Sequence, residues 1–203
     1  MAVLTRYEVK DGHEKKFRKA IRKYVKRAIA KEDNIMAEAY YEEETTSVLW
    51  IIERWNNENG FEQIRQGKKF KLIKLLSKKK LSQPARTIYV KDLEPISKEK
   101  WQENPRKEDQ PITIMLFVDS KAGTEDKFKT TYHAAMPKFR GEPGVINYQL
   151  SQLKDDSTQF VTYEKFRNED AFQYHLNFPP IQPVIDYLNT SIRQQPSRSG
   201  FTV

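Results

Sequence analysis

Three histidines, ten tyrosines and no cysteine limit the chemistry open to this chain. Without thiols there can be no disulfide, thiolate metal centre, iron–sulfur cluster or cysteine nucleophile. Imidazole is then the side chain best placed to take up a proton near neutral pH. His13 follows Gly12 at a predicted helix start and should face solvent, and His133 falls on the charged side of a predicted helix. His175 stands three residues past Phe172, one helical turn along an inward face, and is the candidate catalytic base. Asn147 and Tyr148, on a predicted central strand, could hydrogen-bond an oxygen of a bound molecule. Tyr132, Phe139, Tyr163, Phe172 and Phe178 would wall a dry pocket around an aromatic ligand. A tyrosine-rich core with satisfied hydroxyls accounts for each of these singly, so only their convergence points to a site.

The elements that must position them occur twice. Residues 48–61 read VLWIIERWNNENGF and residues 159–172 read QFVTYEKFRNEDAF. At an offset of 111, with no gap between residues 12 and 61, nine of fifty positions are identical. Gly12 meets Gly123, Glu14 meets Glu125, Phe17 meets Phe128, Ile35 meets Ile146, Glu53 meets Glu164, Asn57 meets Asn168 and Phe61 meets Phe172. The identities cluster at a turn, a helix start and a strand end, as duplication of a supersecondary unit requires. Glu53 and Glu164 end equivalent strands, so their recurrence reads as a structural duty, such as receiving a hydrogen bond.

Each copy reads β-α-β-β-α-β, the ferredoxin-like arrangement of an antiparallel sheet with both helices on one face. In the second copy ITIMLFVD (112–119) is a strand, residues 125–140 a helix that Pro137 should bend, and 145–153 with 158–166 a hairpin around KDDS. A second helical segment should break at FPP (178–180), and SGFTV should close the copy as a strand. The strands are apolar on both sides, Leu49 and Ile51 alternating with Trp50 and Ile52, so a second face needs cover. The expected fold is α+β, two ferredoxin-like repeats whose sheets pack back to back into a single-chain barrel. Residues 1–95 form a basic first repeat, 96–110 a charged linker whose Trp101 should dock on the surface, and 111–203 the second repeat.

The net charge of +8 lies wholly in the first 110 residues, which hold 26 Lys and Arg against 18 Asp and Glu. KKFRKAIRKYVKR (15–27) and GKKFKLIKLLSKKK (67–80) carry most of it. A nucleic-acid surface would need this charge, but apolar residues recur at helical spacing within it, so a solvated helix face is preferred and nucleic acid disfavoured. No apolar run approaches the roughly 20 residues of a membrane span, and no secretory leader is evident, so a cytoplasmic location is expected. Phosphate loops, dinucleotide fingerprints, EF-hand loops and His-x-x-x-His pairs do not occur in the sequence, and no metal site is expected.

EPGVINYQL (142–150) followed by FVTYEKFRNEDAFQYHLNFPP (160–180) resembles the antibiotic biosynthesis monooxygenase domain of the dimeric α+β barrel superfamily. The resemblance covers residues 112–192. The first copy resembles it through VLWIIERWNNENGF but lacks the proline–glycine and has Ile64 where the family's helix histidine would fall, as a degenerate partner would. Because family members pair through their sheets, the chain resembles such a dimer fused into one polypeptide. The resemblance implies a small cofactor-independent monooxygenase acting on a quinol or phenolic ring with dioxygen, His175 matching the family histidine. Such chemistry needs a substrate anion electron-rich enough to reduce dioxygen, hence a proton acceptor inside a dry pocket. A haem-degrading branch carries an asparagine on its first strand and a tryptophan and histidine on its second helix. Here Thr5 and Leu116, then Ile64 and His175, stand at the asparagine and tryptophan positions, so haem is disfavoured, His175 remaining as the one candidate axial ligand. The alternative is a non-enzymatic small-ligand, haem-binding or stress-response protein of the same fold.

Overall fold

The computed structural model describes residues 1–42, 45–103 and 105–202, the last five for their backbone alone. The first copy runs β1 (Ala2–Glu8), α1 (Glu14–Ile29), β2 (Asn34–Glu42), β3 (Thr45–Trp55), α2 (Glu58–Gln66), α3 (Lys68–Lys80) and β4 (Arg86–Leu93). After the short α4 (Lys98–Trp101) come β5 (Ile112–Asp119), α5 (Glu125–Arg140), β6 (Val145–Leu153), β7 (Gln159–Phe166), α6 (Glu169–Leu176), α7 (Gln182–Thr190) and β8 (Ser197–Thr202). The FPP break is real: a 3₁₀ turn over Pro179–Ile181 separates α6 from α7. Helix α5 continues through Pro137 for its last turn, and the Gly141 N–H closes it on the Pro137 and Lys138 carbonyls.

The chain divides into two units, Met1–Val90 with the C-terminal residues from Phe201, and Lys91–Gly200. In the first the antiparallel strand order is β4–β1–β3–β2, with Phe201 and Thr202 added beside β2. In the second the order is β8–β5–β7–β6, and Ser151 of β6 donates to Asp92 at 2.6 Å. Each is the ferredoxin-like arrangement with its helices on one face. Phe17, Ile21 and Tyr24 meet Val3, Leu49 and Ile51 in the first core; Phe128, Tyr132 and Phe139 meet Ile114, Phe160 and Phe166 in the second. The residues that point away from the helices, such as Leu4, Trp50 and Ile52 in one unit and Val161 and Tyr163 in the other, are buried too. Trp101 is 4% exposed, its ring 5.3 Å from that of Tyr163, where the indole gains apolar contact.

The recurring residues each have a local physical cause. Gly12 and Gly123 turn the chain at φ +77° and +85°, a region that penalises any Cβ. Asn57 and Asn168 cap α2 and α6, accepting from the N–H of Gly60 at 2.8 Å and Ala171 at 2.9 Å. Ile35 and Ile146 mark the same register shift, where β2 and β6 each slip one residue against their neighbour. The offset of 111 persists where identity has gone: Val9 bridges Leu81, and Ser120 bridges Ile192.

One junction explains why the first copy lacks the glycine of the proline–glycine pair. A Cβ on Gly144 would lie 2.2 Å from the Ala171 Cβ, and one on Gly60 would lie 2.6 Å from the Asp33 Cβ. Asp33 and Gly60 are the repeat counterparts of Gly144 and Ala171, so both copies bring the second helix onto the same turn and both need one glycine there. They place it on opposite partners. Gly144→Ala should therefore cost about 1–3 kcal/mol by overpacking. Adding Ala171→Gly should recover most of that loss, as chemical denaturation of both variants would show.

Candidate active site

The Gly144 approach brings α6 against the turn that carries Glu142, and there the sequence's candidate base acquires a partner. His175, in the last turn of α6, has Nδ1 2.8 Å from Glu142 Oε1. Both side chains are almost wholly removed from solvent. A carboxylate only accepts hydrogen bonds, so this contact holds the imidazole proton on Nδ1 and leaves Nε2 as the basic nitrogen. The ring is wedged by Phe139, Phe166 and Tyr148 at centroid distances of 4.9, 5.2 and 5.3 Å.

His175 opens on a cavity of about 180 Å³ between the helices and the sheet of the second unit. Its polar wall is His175, Tyr148, Tyr132 and Glu164; Phe172, Leu176, Leu116, Ile114, Ile181 and the apolar side chains of α7 supply the rest. Tyr148 donates its hydroxyl hydrogen to Glu164 Oε1 at 3.0 Å, and Thr162 donates to the same oxygen at 2.7 Å. Burial, then the Glu164 charge, pushes the phenols of Tyr148 and Tyr132 well above the ordinary tyrosine range, so both stay protonated and act as donors or dipoles rather than bases. The space matches one six-membered ring, since apolar cavities of about 150 Å³ admit benzene.

Of the residues singled out from sequence, His175, Tyr148, Tyr132 and Phe172 line this cavity. Phe139 packs behind His175, and Phe178 is partly buried against the same core and stacks on Tyr174 at 5.7 Å. Asn147 and Tyr163 are not in the cavity wall. As strand neighbours of Tyr148 and Glu164 they face the other way, and the Asn147 amide donates to the Lys100 carbonyl at 2.9 Å. Glu142 is the residue that sequence reasoning missed. Its EPG enters the sequence reading only through the family resemblance, and nothing in the local pattern reveals a carboxylate turned inward onto a helix 33 positions on. Glu164, whose recurrence reads as a structural duty, also faces the cavity. His133 is exposed and pairs with Glu94.

The first unit keeps the buried carboxylate and changes everything around it. Glu53 accepts from Tyr24 at 2.8 Å and from the Trp55 indole at 3.2 Å, with Arg65 Nη2 3.5 Å from its other oxygen. Ile64 takes the His175 position and Ala37 that of Tyr148, so no base stands there.

The sequence matches the Antibiotic biosynthesis monooxygenase family over residues 1–74 and again over 111–185. The chain belongs to that family, as tandem copies. A proposed monooxygenase of Fusobacterium nucleatum superposes with a TM-score of 0.83 at 15% identity, covering 100% of this chain and 91% of that one. A proposed monooxygenase of Lactobacillus acidophilus gives 0.80 at 13%, covering 99% and 92%. An anthrone oxidase-like protein gives 0.64 at 10%, covering 98% and 89%. At these identities the likeness is one of fold. An uncharacterized protein of Synechocystis is 27% identical over 71 residues, 35% of this chain, and the chain spans about half the length of that relative.

Burial raises the Glu53 carboxyl above its ordinary value of 4.5, the lowering pull of Arg65 notwithstanding. Just above pH 4.5 the unfolded chain has then released a proton that the folded one keeps, so this group's contribution to stability falls as pH rises toward the folded value. Urea midpoints measured across that range should show this decline in the wild type, and the Glu53→Gln variant should lack it.

Proposed function

We propose that the second unit is a cofactor-independent monooxygenase site for a single-ring quinol or phenol, with His175 as its base. The observation that carries this reading is a buried imidazole fixed at Nδ1 by Glu142 on the wall of an apolar, one-ring cavity. The ring packs among Tyr132, Phe172 and the α7 side chains, and its hydroxyl gives a proton to His175 Nε2. Glu142 stabilises the imidazolium that results, as a buried carboxylate does for a neighbouring cation. The aryl oxide is the reductant: the ring gives four electrons to dioxygen, one oxygen replaces a ring hydrogen, the other leaves as water with two of the substrate's hydrogens, and the ring is left as a quinone. Excluding solvent protects the anion and strengthens every electrostatic contact made with it. Membership of a monooxygenase family supports the reaction class, and the cavity's size and lining support the ring.

Oxygen uptake with a panel of benzoquinols tests this directly. His175→Ala should lower the rate by about 10²-fold or more, and Glu142→Gln, which cannot stabilise the imidazolium, should lower kcat with little change in KM. Thermal melts of both variants would register any loss of folding. An undiminished rate in folded His175→Ala removes the base from the reaction.

A further inference from the structure

A second cavity, of about 440 Å³, lies in the first unit at the place the repeat dictates. Six of its lining positions are counterparts of lining positions in the His175 cavity, and the chemistry is inverted. Thr5 stands for Leu116, Arg65 for Leu176, Lys74 for Ile185 and Ser77 for Leu188, while Phe70 and Ile73 keep the apolar character of Ile181 and Val184. Tyr7, Phe70, Ile73 and Thr5 are buried and make the floor; Lys74 and Lys78, one helical turn apart on α3, stand exposed at the rim.

Arg65 is the centre of this change. Its side chain is 14% exposed and its guanidinium lies 4.2 Å and 4.6 Å from the Phe61 and Phe70 rings. It donates to Thr5 Oγ1 at 3.2 Å, and Nε has no hydrogen-bond partner. Glu53 faces it: Tyr24 and Trp55 both donate to Oε1, and Oε2, which has no hydrogen-bond partner, lies 3.5 Å from Arg65 Nη2, so Glu53 offsets part of the guanidinium charge and Nε is the donor left over. Glu62 is the one carboxylate among the lining residues, against three cationic side chains.

We propose that this cavity binds a small organic anion, a carboxylate or phosphate on an apolar body, independently of any reaction in the second unit. The anionic group meets Arg65 and the Lys74 and Lys78 ammonium groups, and the body lies on the Phe70 and Ile73 floor. A planar guanidinium stacked on rings is preorganised for such a group, and the lysine-rich α3 raises the local concentration of anions at the mouth. Duplication has thus yielded two equivalent cavities of opposite preference, one for a neutral ring and one for a charged ligand.

Calorimetric titration of the whole protein with benzoate, phenyl phosphate and, as neutral control, benzyl alcohol tests the proposal. At least one anion should bind, more weakly as salt rises, and Lys74→Gln with Lys78→Gln should weaken it by about tenfold or more while leaving benzyl alcohol unaffected. Both lysines are exposed, so the double variant should fold. Arg65→Leu, which installs the second unit's residue, should abolish anion binding where it folds. Failure of both anions to bind, or binding unchanged in the lysine variant, overturns the proposal whatever the outcome for oxygen uptake.

Discussion

A carboxylate buried at the same point of each repeat dictates what can surround it. Glu53 is 0% exposed and Glu164 6%, and a buried acid is tolerated only where donors or a cation meet it. In the second unit the donors are hydroxyls, Tyr148 and Thr162, which leave the neighbouring space apolar and free of net cationic charge. In the first they are a tyrosine from a different element, an indole and a guanidinium. Bringing Arg65 to Glu53 puts a cation on the wall of the adjoining cavity. The choice of partner for one glutamate therefore separates a pocket suited to a neutral ring from one suited to an anion.

The same economy governs the helix that carries His175. Helix α6 can reach the Glu142 turn only because Gly144 has no Cβ to meet Ala171. The first unit achieves the same approach with Gly60 against Asp33, and the Asp33 side chain is then available to accept from the Asn57 amide at 2.9 Å. Where the second unit has a histidine bonded to a buried acid, the first has Ile64 in an apolar core. The first repeat's departures from the family pattern are thus compensated changes in packing, and they leave the unit's fold intact while replacing the histidine with Ile64.

Much of this was legible beforehand. Strand and helix bounds of the second copy, the break at FPP and the register of the repeat follow from periodicity, turn residues and proline. His175, Tyr148, Tyr132 and Phe172 could be gathered because each sits on the inward phase of its element. Asn147 and Tyr163 could not be excluded from composition alone, since an amide or phenol suits a site as well as it suits a hydrogen bond elsewhere. Only the alternation of β6 and β7, phased by the register shift at Ile146, sends them to the other face.

The duplicated β-α-β-β-α-β unit is already written in the order of residues, because turn, cap and core residues are local demands that recur at a fixed offset. What the repeated glutamates do, the hold of Glu142 on His175 and the difference in charge between two equivalent cavities arise only in the folded chain. Those facts depend on side chains tens of residues apart meeting in a low-dielectric interior, where a single contact sets protonation and preference. No local pattern carries that information.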